Sequence, residues 1–397
     1  MNQRKWTVNL FRVTEIMAKL YGLFPLRFDS RVNRFQSSPI AVCWSATLLV
    51  GYGTGMLYVY IYLSVNVTHA GSSLNSVFMR LEFMLNYIFC IVSITMAILN
   101  RNRMKDLLNI LLFLAEVINK RNKSETDSKL LQSYFRKILF IDVILKLIIC
   151  CSYYIDETMV TGTYTALLNF IFMWTIALFT DEFVGLCLFV AHLYRMINLQ
   201  IGSAVQQLCD FDEDQSYWDT HPTKKHRVCM KVASELDRLA HLHRDVTTVS
   251  KEIVKLVDGS LLFVIMWYFL IIIFGIFYAY TTLVTDLRNN ISPTVTKYGS
   301  TIGCSVFEAF QFYYLVSGAS LLTKRAEKTG LVLNKFFKTD VEERVERTIN
   351  MFSMELLHDT YSVENFGMYK VDFTLIYSMV ATITNYLIMM VQFQLAE

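Results

Sequence analysis

Proline is what this chain most conspicuously does without. It has four in 397 residues, and no Pro-rich or Gly/Ser-rich tract that would serve as a linker. Charge is scarce too. Charged residues make up 18% of the chain and hydrophobic ones 54%, with a mean hydropathy of +0.38. Soluble domains carry about 25% charged residues. The shortage excludes an ordinary soluble domain and implies an integral membrane protein. There is no internal repeat and no low-complexity tract. His-Glu-x-x-His, Gly-x-Ser-x-Gly and Walker patterns are all missing, so an enzyme reading has no constellation to stand on and no cofactor is expected. His221, His226, Cys229, His241 and His243 cluster in sequence, but their spacing matches no zinc pattern, and no metal is expected. Of the eight cysteines, Cys43, Cys90, Cys150, Cys151, Cys187 and Cys304 lie in or beside apolar runs and Cys209 and Cys229 between them, which reads as buried or reduced thiols. Residues 1–39 are basic and lack an apolar h-region, so no cleavable signal peptide is expected and the first span acts as a signal-anchor. The net charge of +3 gives no reason to expect a nucleic-acid partner.

Apolar runs are what the chain has instead. Stretches long enough to cross about 30 Å of hydrocarbon occur near 40–63, 77–99, 138–157, 164–190, 260–285, 299–322 and 368–392. The third is the weakest, because Asp142 and Lys146 interrupt its first turns. Four apart, they can pair on one helix face, which places them at the inner membrane surface. With the N-terminus inside, segments 1–39, 100–137, 191–259 and 323–366 are cytosolic and hold 32 of the 37 Lys and Arg, while the outer segments hold only Arg288 and Lys297. That asymmetry sets the orientation and puts the C-terminus outside. Sequons at Asn66 and Asn290 fall in outer loops as glycosylation candidates, and the one at Asn122 falls inside. Seven spans with an inside N-terminus reverse the G-protein-coupled arrangement, and the Asn-Pro-x-x-Tyr of that class is missing from the last span. A metabotropic receptor is therefore a poor second. A transporter would carry an internal repeat or paired broken helices, and neither is seen.

The inner loops are patterned. Leu239, Leu242, Val246, Val249, Ile253 and Leu256 recur at heptad steps. They fit either an amphipathic helix packed within its own subunit or a cytosolic base where subunits meet. Val341, Val345, Ile349, Phe352 and Leu356 line one face of a second helix over 340–358, which leads through Gly367 into the last span. Val50-Gly51-Tyr52-Gly53 has the letters of a potassium filter but lies inside the first apolar run, so Gly51 and Gly55 read as close-packing positions.

Polar residues at membrane depth are the leads for function. On the last span Thr374, Ser378, Ala381, Asn385, Met389 and Gln392 follow at steps of three or four, along one face about five turns long. Lipid penalises such a face, so it meets protein or water: an interhelical seam or the wall of a pore. Lys370 extends it inward, and Phe393 follows it at the outer end. Elsewhere Glu82 and Asn86, Tyr153 and Tyr154, Asn169 and Trp174, Tyr278, Tyr280, Thr281 and Thr282, and Glu308 and Gln311 all sit at or above mid-membrane. They could open on one outward-facing cavity, whose aromatic walls and few polar groups suit a small organic ligand.

Tyr386, then Leu387-Ile388-Met389-Met390-Val391, then Gln392-Phe393 resemble the C-terminal signature of the insect gustatory receptor family. Asn385 stands where Thr is usual, with Thr384 adjacent. Gly367, the segment Tyr369-Lys370-Val371-Asp372 and the early Tyr21-Gly22-Leu23-Phe24-Pro25 resemble the family as well. The resemblance implies an all-α membrane protein of the insect chemoreceptor channel fold. It implies seven transmembrane helices, a cytosolic N-terminus, an extracellular C-terminus and a cytosolic helical anchor. The chain then divides into a cytosolic segment 1–39, transmembrane helices 1–4 over 40–190, an anchor extension 191–259, helices 5–6 over 260–322, a second anchor segment 323–366, a pore-lining helix 367–393 and a tail 394–397. It further implies a tetramer in the plasma membrane, homomeric or formed with other gustatory receptors. A small-molecule tastant would open it to monovalent cations, with divalent cations as a further class. The last helices would line the pore, with Gln392 and Phe393 at an outer gate. Sugar-sensing members often carry Glu after the signature Tyr. Leu387 at that position favours a bitter or aversive ligand over a sugar. An odorant-receptor-type channel is the near alternative.

Overall fold

The computed structural model of the chain describes residues 15–29, 31–67, 74–120, 128–149, 162–213, 221–290, 295–338 and 342–396. A helical turn at 15–20 leads into a hairpin of β1 (Leu26–Asp29) and β2 (Arg34–Ser37), paired antiparallel with Phe28 opposite Phe35. The helices are α1 (Pro39–Val67), α2 (Leu74–Leu99), α3 (Arg101–Asn119), α4 (Ser128–Lys137), α5 (Gly162–Glu213), α6 (Pro222–Arg288), α7 (Val295–Leu333), α8 (Glu343–His358) and α9 (Phe373–Ala396). A π-helical stretch, Ile138–Leu145, continues α4, and a second hairpin, β3 (Glu364–Asn365) with β4 (Tyr369–Lys370), precedes α9.

Among the described residues four helices are long and apolar enough to cross a membrane, α1, α5, α6 and α9. A fifth span results if α2 and α3, which meet at 69°, are taken together. The bend falls at Asn100, where the second expected span ends and the cytosolic segment begins. Helix α6 is the axis of the molecule. Its 67 residues span about 100 Å at 1.5 Å per residue, and it packs against α2, α3, α5, α7, α8 and α9.

The heptad seam on α6 is used inside its own subunit. Leu239, Leu242, Val246, Val249 and Ile253 are buried in the main core, and Leu256 packs against it. Val345, Ile349 and Phe352 of α8 join the same core, while Val341 lies outside the described residues. Ion pairs Arg244–Glu355 and Lys251–Asp359 hold the outer rims of α6 and of the segment that ends α8 together. Inside, Tyr194 and Thr247 share a hydrogen bond of 2.7 Å, as do Ser250 and Tyr361. His243 sits between the rings of Tyr194 and Phe352, at centroid distances of 5.0 and 5.8 Å. Burial pushes the His243 imidazole down to about 4, so it is neutral at physiological pH.

Some sequence expectations hold here and others are revised. Residues 50–53 are helical within α1, so they do not form the extended backbone of a filter. Gly55 does allow close packing, because a Cβ there would lie 3.1 Å from the Tyr87 hydroxyl, whereas a Cβ at Gly51 would meet nothing within 4 Å. Gly367 (φ +67°) follows Phe366 (φ +50°) at the tip of the β3–β4 hairpin, and the Met368 amide donates to the Asn365 carbonyl at 2.9 Å. Two successive positive φ values are the signature of a type I′ turn. Gly367 and Lys370 therefore belong to a hairpin below the last helix, and Lys370 does not extend its polar face. The helix begins at Phe373, where Asp372 accepts from the Thr374 amide at 2.8 Å and caps it.

Candidate functional site

The last helix presents two opposite faces. Met379 and Ile383 are buried, and Leu375, Ile376 and Phe373 pack on the core. On the other side Thr374, Ser378, Ala381, Asn385, Met389 and Gln392 are all exposed. At 100° per residue, the centre of the packed face lies about 160° from the centre of this stripe. The subunit thus uses the apolar side of α9 and leaves the polar side uncovered. Tyr377, 75% exposed, and Val380, Tyr386 and Ile388, each about half exposed, flank the stripe. Such flanks are apolar enough for lipid or another chain, while the stripe between them is not. Ser378 donates to the Thr374 carbonyl at 3.0 Å, and Thr382 and Thr384 to carbonyls four residues back at 2.8 Å each. These hydroxyls are satisfied within the helix and still offer lone pairs outward. The Phe393 side chain lies outside the described residues.

A second polar cluster lies inside the bundle. Lys137, 1% exposed, places its ammonium 3.0 Å from Asp142 Oδ2 and 2.8 Å from Gln311 Oε1, and also pairs with Asp181. The Gln311 amide donates to Asp142, and the Tyr134 hydroxyl donates to the Asp181 carbonyl at 2.9 Å. Three elements are thereby tied at one point: the α4–π-helix junction, α5 and α7. The i→i+5 winding of Ile138–Leu145 accompanies the five-residue spacing of Lys137 and Asp142, a partner that the α-helical four-residue rule did not name. Asp142 (4% exposed) and Lys146 (2%) are both buried in the bundle. Lys146 lies over the rings of Trp174 and Phe307, at 4.5 and 4.9 Å from their centroids, and interacts electrostatically with Glu308. Two rings and a carboxylate around an ammonium form a cation cage, occupied here by the chain's own lysine.

The structure thus brings Trp174, Glu308 and Gln311 to neighbouring positions around Lys137 and Lys146. Asn86 is elsewhere, 1% exposed, accepting from Trp267 Nε1 at 2.5 Å. Thr281 and Thr282 donate to the Tyr278 carbonyl at 3.0 and 2.8 Å, on their own helix. Glu82 and Asn169 lie on α2 and α5 with side chains outside the described residues, as does that of Asn66 on α1. Tyr153 and Tyr154 lie outside the described residues altogether. Asn290 is exposed at the end of α6, with φ +53°. Lys137, Asp181, Trp267 and Phe307 were not among the sequence candidates. The signal that could have found the first two is a charge at the edge of, or within, an apolar run. Among the described residues no group of three or more His, Cys, Asp or Glu is placed to hold a metal.

A sequence profile of the 7tm chemosensory receptor family matches residues 12–397. Gustatory receptor 28b of Drosophila melanogaster is 26% identical over 135 residues, 34% of this chain and 29% of that protein. The gustatory receptor for bitter taste 66a of the same fly is 21% identical over 166 residues, 42% of this chain and 32% of that protein. The match thus spans about a third of the length of each relative. The insect olfactory receptor OR5 from Machilis hrabei superposes with a TM-score of 0.60 at 12% identity, covering 98% of each chain, and so does its complex with eugenol. At that identity the likeness is one of fold.

Proposed function

The chain belongs to the 7tm chemosensory receptor family, a receptor family rather than an enzyme family, and from that premise we propose that it is a tetrameric, ligand-gated cation channel of the plasma membrane, opened by a small-molecule tastant of the bitter or aversive class. The uncovered polar face of α9 carries this reading. An apolar helix whose polar stripe points away from its own subunit leaves that stripe for water or for other copies. Four such stripes around an axis make a wet path. Asn385, Ser378 and Thr374 would line it, with Gln392 and Phe393 at its outer end. Seven spans with the N-terminus inside remain the topology we favour, on the distribution of Lys and Arg.

The ligand would bind among α2, α4, α5, α6 and α7. The aromatic and carboxylate groups around Lys146 suit an organic cation, or a neutral aromatic that displaces the lysine from the rings of Trp174 and Phe307. The match to a receptor named for bitter taste and the fold shared with a receptor solved with eugenol support a small organic ligand. Ligand binding can open the channel only by its differential affinity for the open state. The route outward runs from α5 and α7 to α9, which packs on both α6 and α7.

Single-channel recording from the purified protein in a planar bilayer tests the proposal, with bitter compounds and sugars applied separately to the outer face. Discrete, ligand-dependent openings without accessory proteins are expected from the bitter panel. Openings from sugars alone would reassign the ligand class. Silence from correctly folded tetramers with both panels would overturn the homomeric channel.

A further inference from the structure

A cavity of about 810 Å³ lies between the inner ends of α5 and α7, apart from the cluster around Lys146. Arg195 of α5, Arg325 and Lys328 of α7, and Lys335 just beyond line it, and among the described residues no acidic one does. Glu327, the one carboxylate in the stretch 323–335, is not on its wall. Arg195 and Arg325 are partly buried, whereas Lys328 and Lys335 are exposed. We propose that this cavity binds a phosphorylated polyol anion, such as an inositol phosphate group.

Four cations around one concave wall repel each other and concentrate a positive potential there. An anion of several charges relieves that repulsion, and guanidinium forks match phosphate oxygens in geometry. The hydroxyl part of the ligand follows from Asn198. Its Nδ2 donates to the Arg325 carbonyl at 3.0 Å, which fixes the amide so that Oδ1 faces the other way. That Oδ1 is buried and accepts no hydrogen bond among the described residues. Asn198 as a residue lines the same cavity. An acceptor among cations needs a donor that is not itself an anion, and a ring hydroxyl beside a phosphate supplies one. Gly202 adds open backbone, since a Cβ there would meet nothing within 4 Å. Arg325 and Arg195 lie three and five residues beyond the expected inner ends of their spans, about 5–8 Å along a helix. That is headgroup depth, within reach of both an inner-leaflet lipid headgroup and a free anion from the cytosol. Either one would bridge α5 and α7.

The full-length protein in phosphatidylcholine nanodiscs is assayed in two arms, with phosphatidylinositol 4,5-bisphosphate in the bilayer and with soluble inositol trisphosphate in its absence. Native mass spectrometry reads the bound species. Specific retention in at least one arm is expected, and the arm that shows it identifies the source. Lys328→Glu with Lys335→Glu changes only exposed side chains, and should weaken binding by more than about tenfold. Gly202→Trp fills the cavity and keeps every charge, and should abolish binding with an unchanged melting temperature. Retained binding in Gly202→Trp would mean diffuse attraction to a basic surface and would overturn the site. So would wild-type binding no stronger than that of the double variant.

Discussion

Helices α5 and α9 are both apolar enough to cross a membrane, but 83% of the apolar window of α5 is buried inside the subunit and only 11% of that of α9. Hydropathy therefore does not say what a span touches. The two differ in where their polar atoms lie. On α5, Thr180 and Asp181 point into the bundle and meet Tyr268, at 2.6 Å, and Lys137. On α9 the polar residues line the side its own subunit does not use. The first arrangement locks a bundle. The second leaves a face that only water or another subunit can satisfy.

Breaking the lock should cost the most. Lys137→Ala leaves Asp142 and Asp181 buried without their shared cation, and removing one partner of a buried ion pair costs about 3–5 kcal/mol. A large fall in melting temperature of the detergent-purified protein is expected; an unchanged one would show that the cluster does not hold the bundle. Leu239→Ala, at a position with no exposure, should cost about 2–5 kcal/mol by leaving a cavity in the core between α6 and α8. If it instead left stability intact and dissolved the oligomer, the α6 seam would be an interface between subunits.

The core between α6 and α8 should also respond to acid. His243 titrates at about 4 when folded and at about 6.5 when unfolded. Its lowered value means that the neutral form is favoured in the fold. The contribution is complete above pH 6.5 and is lost as the pH falls from 6.5 towards 4. It amounts to on the order of 3 kcal/mol. The pH dependence of melting over that window should flatten in His243→Phe. An identical profile in the variant would assign the acid sensitivity to other groups.

The smallest effect on stability is expected on α9. Ser378→Val and Asn385→Leu alter exposed positions, and should change subunit melting by no more than about 0.5 kcal/mol. The same changes should lower unitary conductance by drying the polar stripe. Normal conductance in the pair would move the ion path away from this face. Gln392→Ala, at the outer end, should change opening and closing rates while assembly is kept. Unchanged currents would remove Gln392 from the gate.

Much of the architecture was legible in the chain. Shortage of charge and long apolar runs gave a helical membrane protein, and the C-terminal signature gave its family. The period of the α9 stripe gave its polar face, because side chains three and four apart align whatever surrounds the helix. The candidate ligand site was only half legible. Glu308, Gln311 and Trp174 were chosen for polarity at depth, but their partners Lys137 and Lys146 come from a segment far from theirs in sequence. Asp142 was assigned a neighbour by α-helical spacing and found another at a π-helical one.

Local pattern alone determined which faces of the helices are apolar and which connecting segments are rich in cations, since both follow from residue order. It did not determine which apolar face is consumed within the subunit. The α6 seam and the α9 stripe have the same kind of period, and only the packed bundle decided that the first is buried and the second left open. Burial depends on how many neighbours reach a surface, and that number is set by the path of the whole chain.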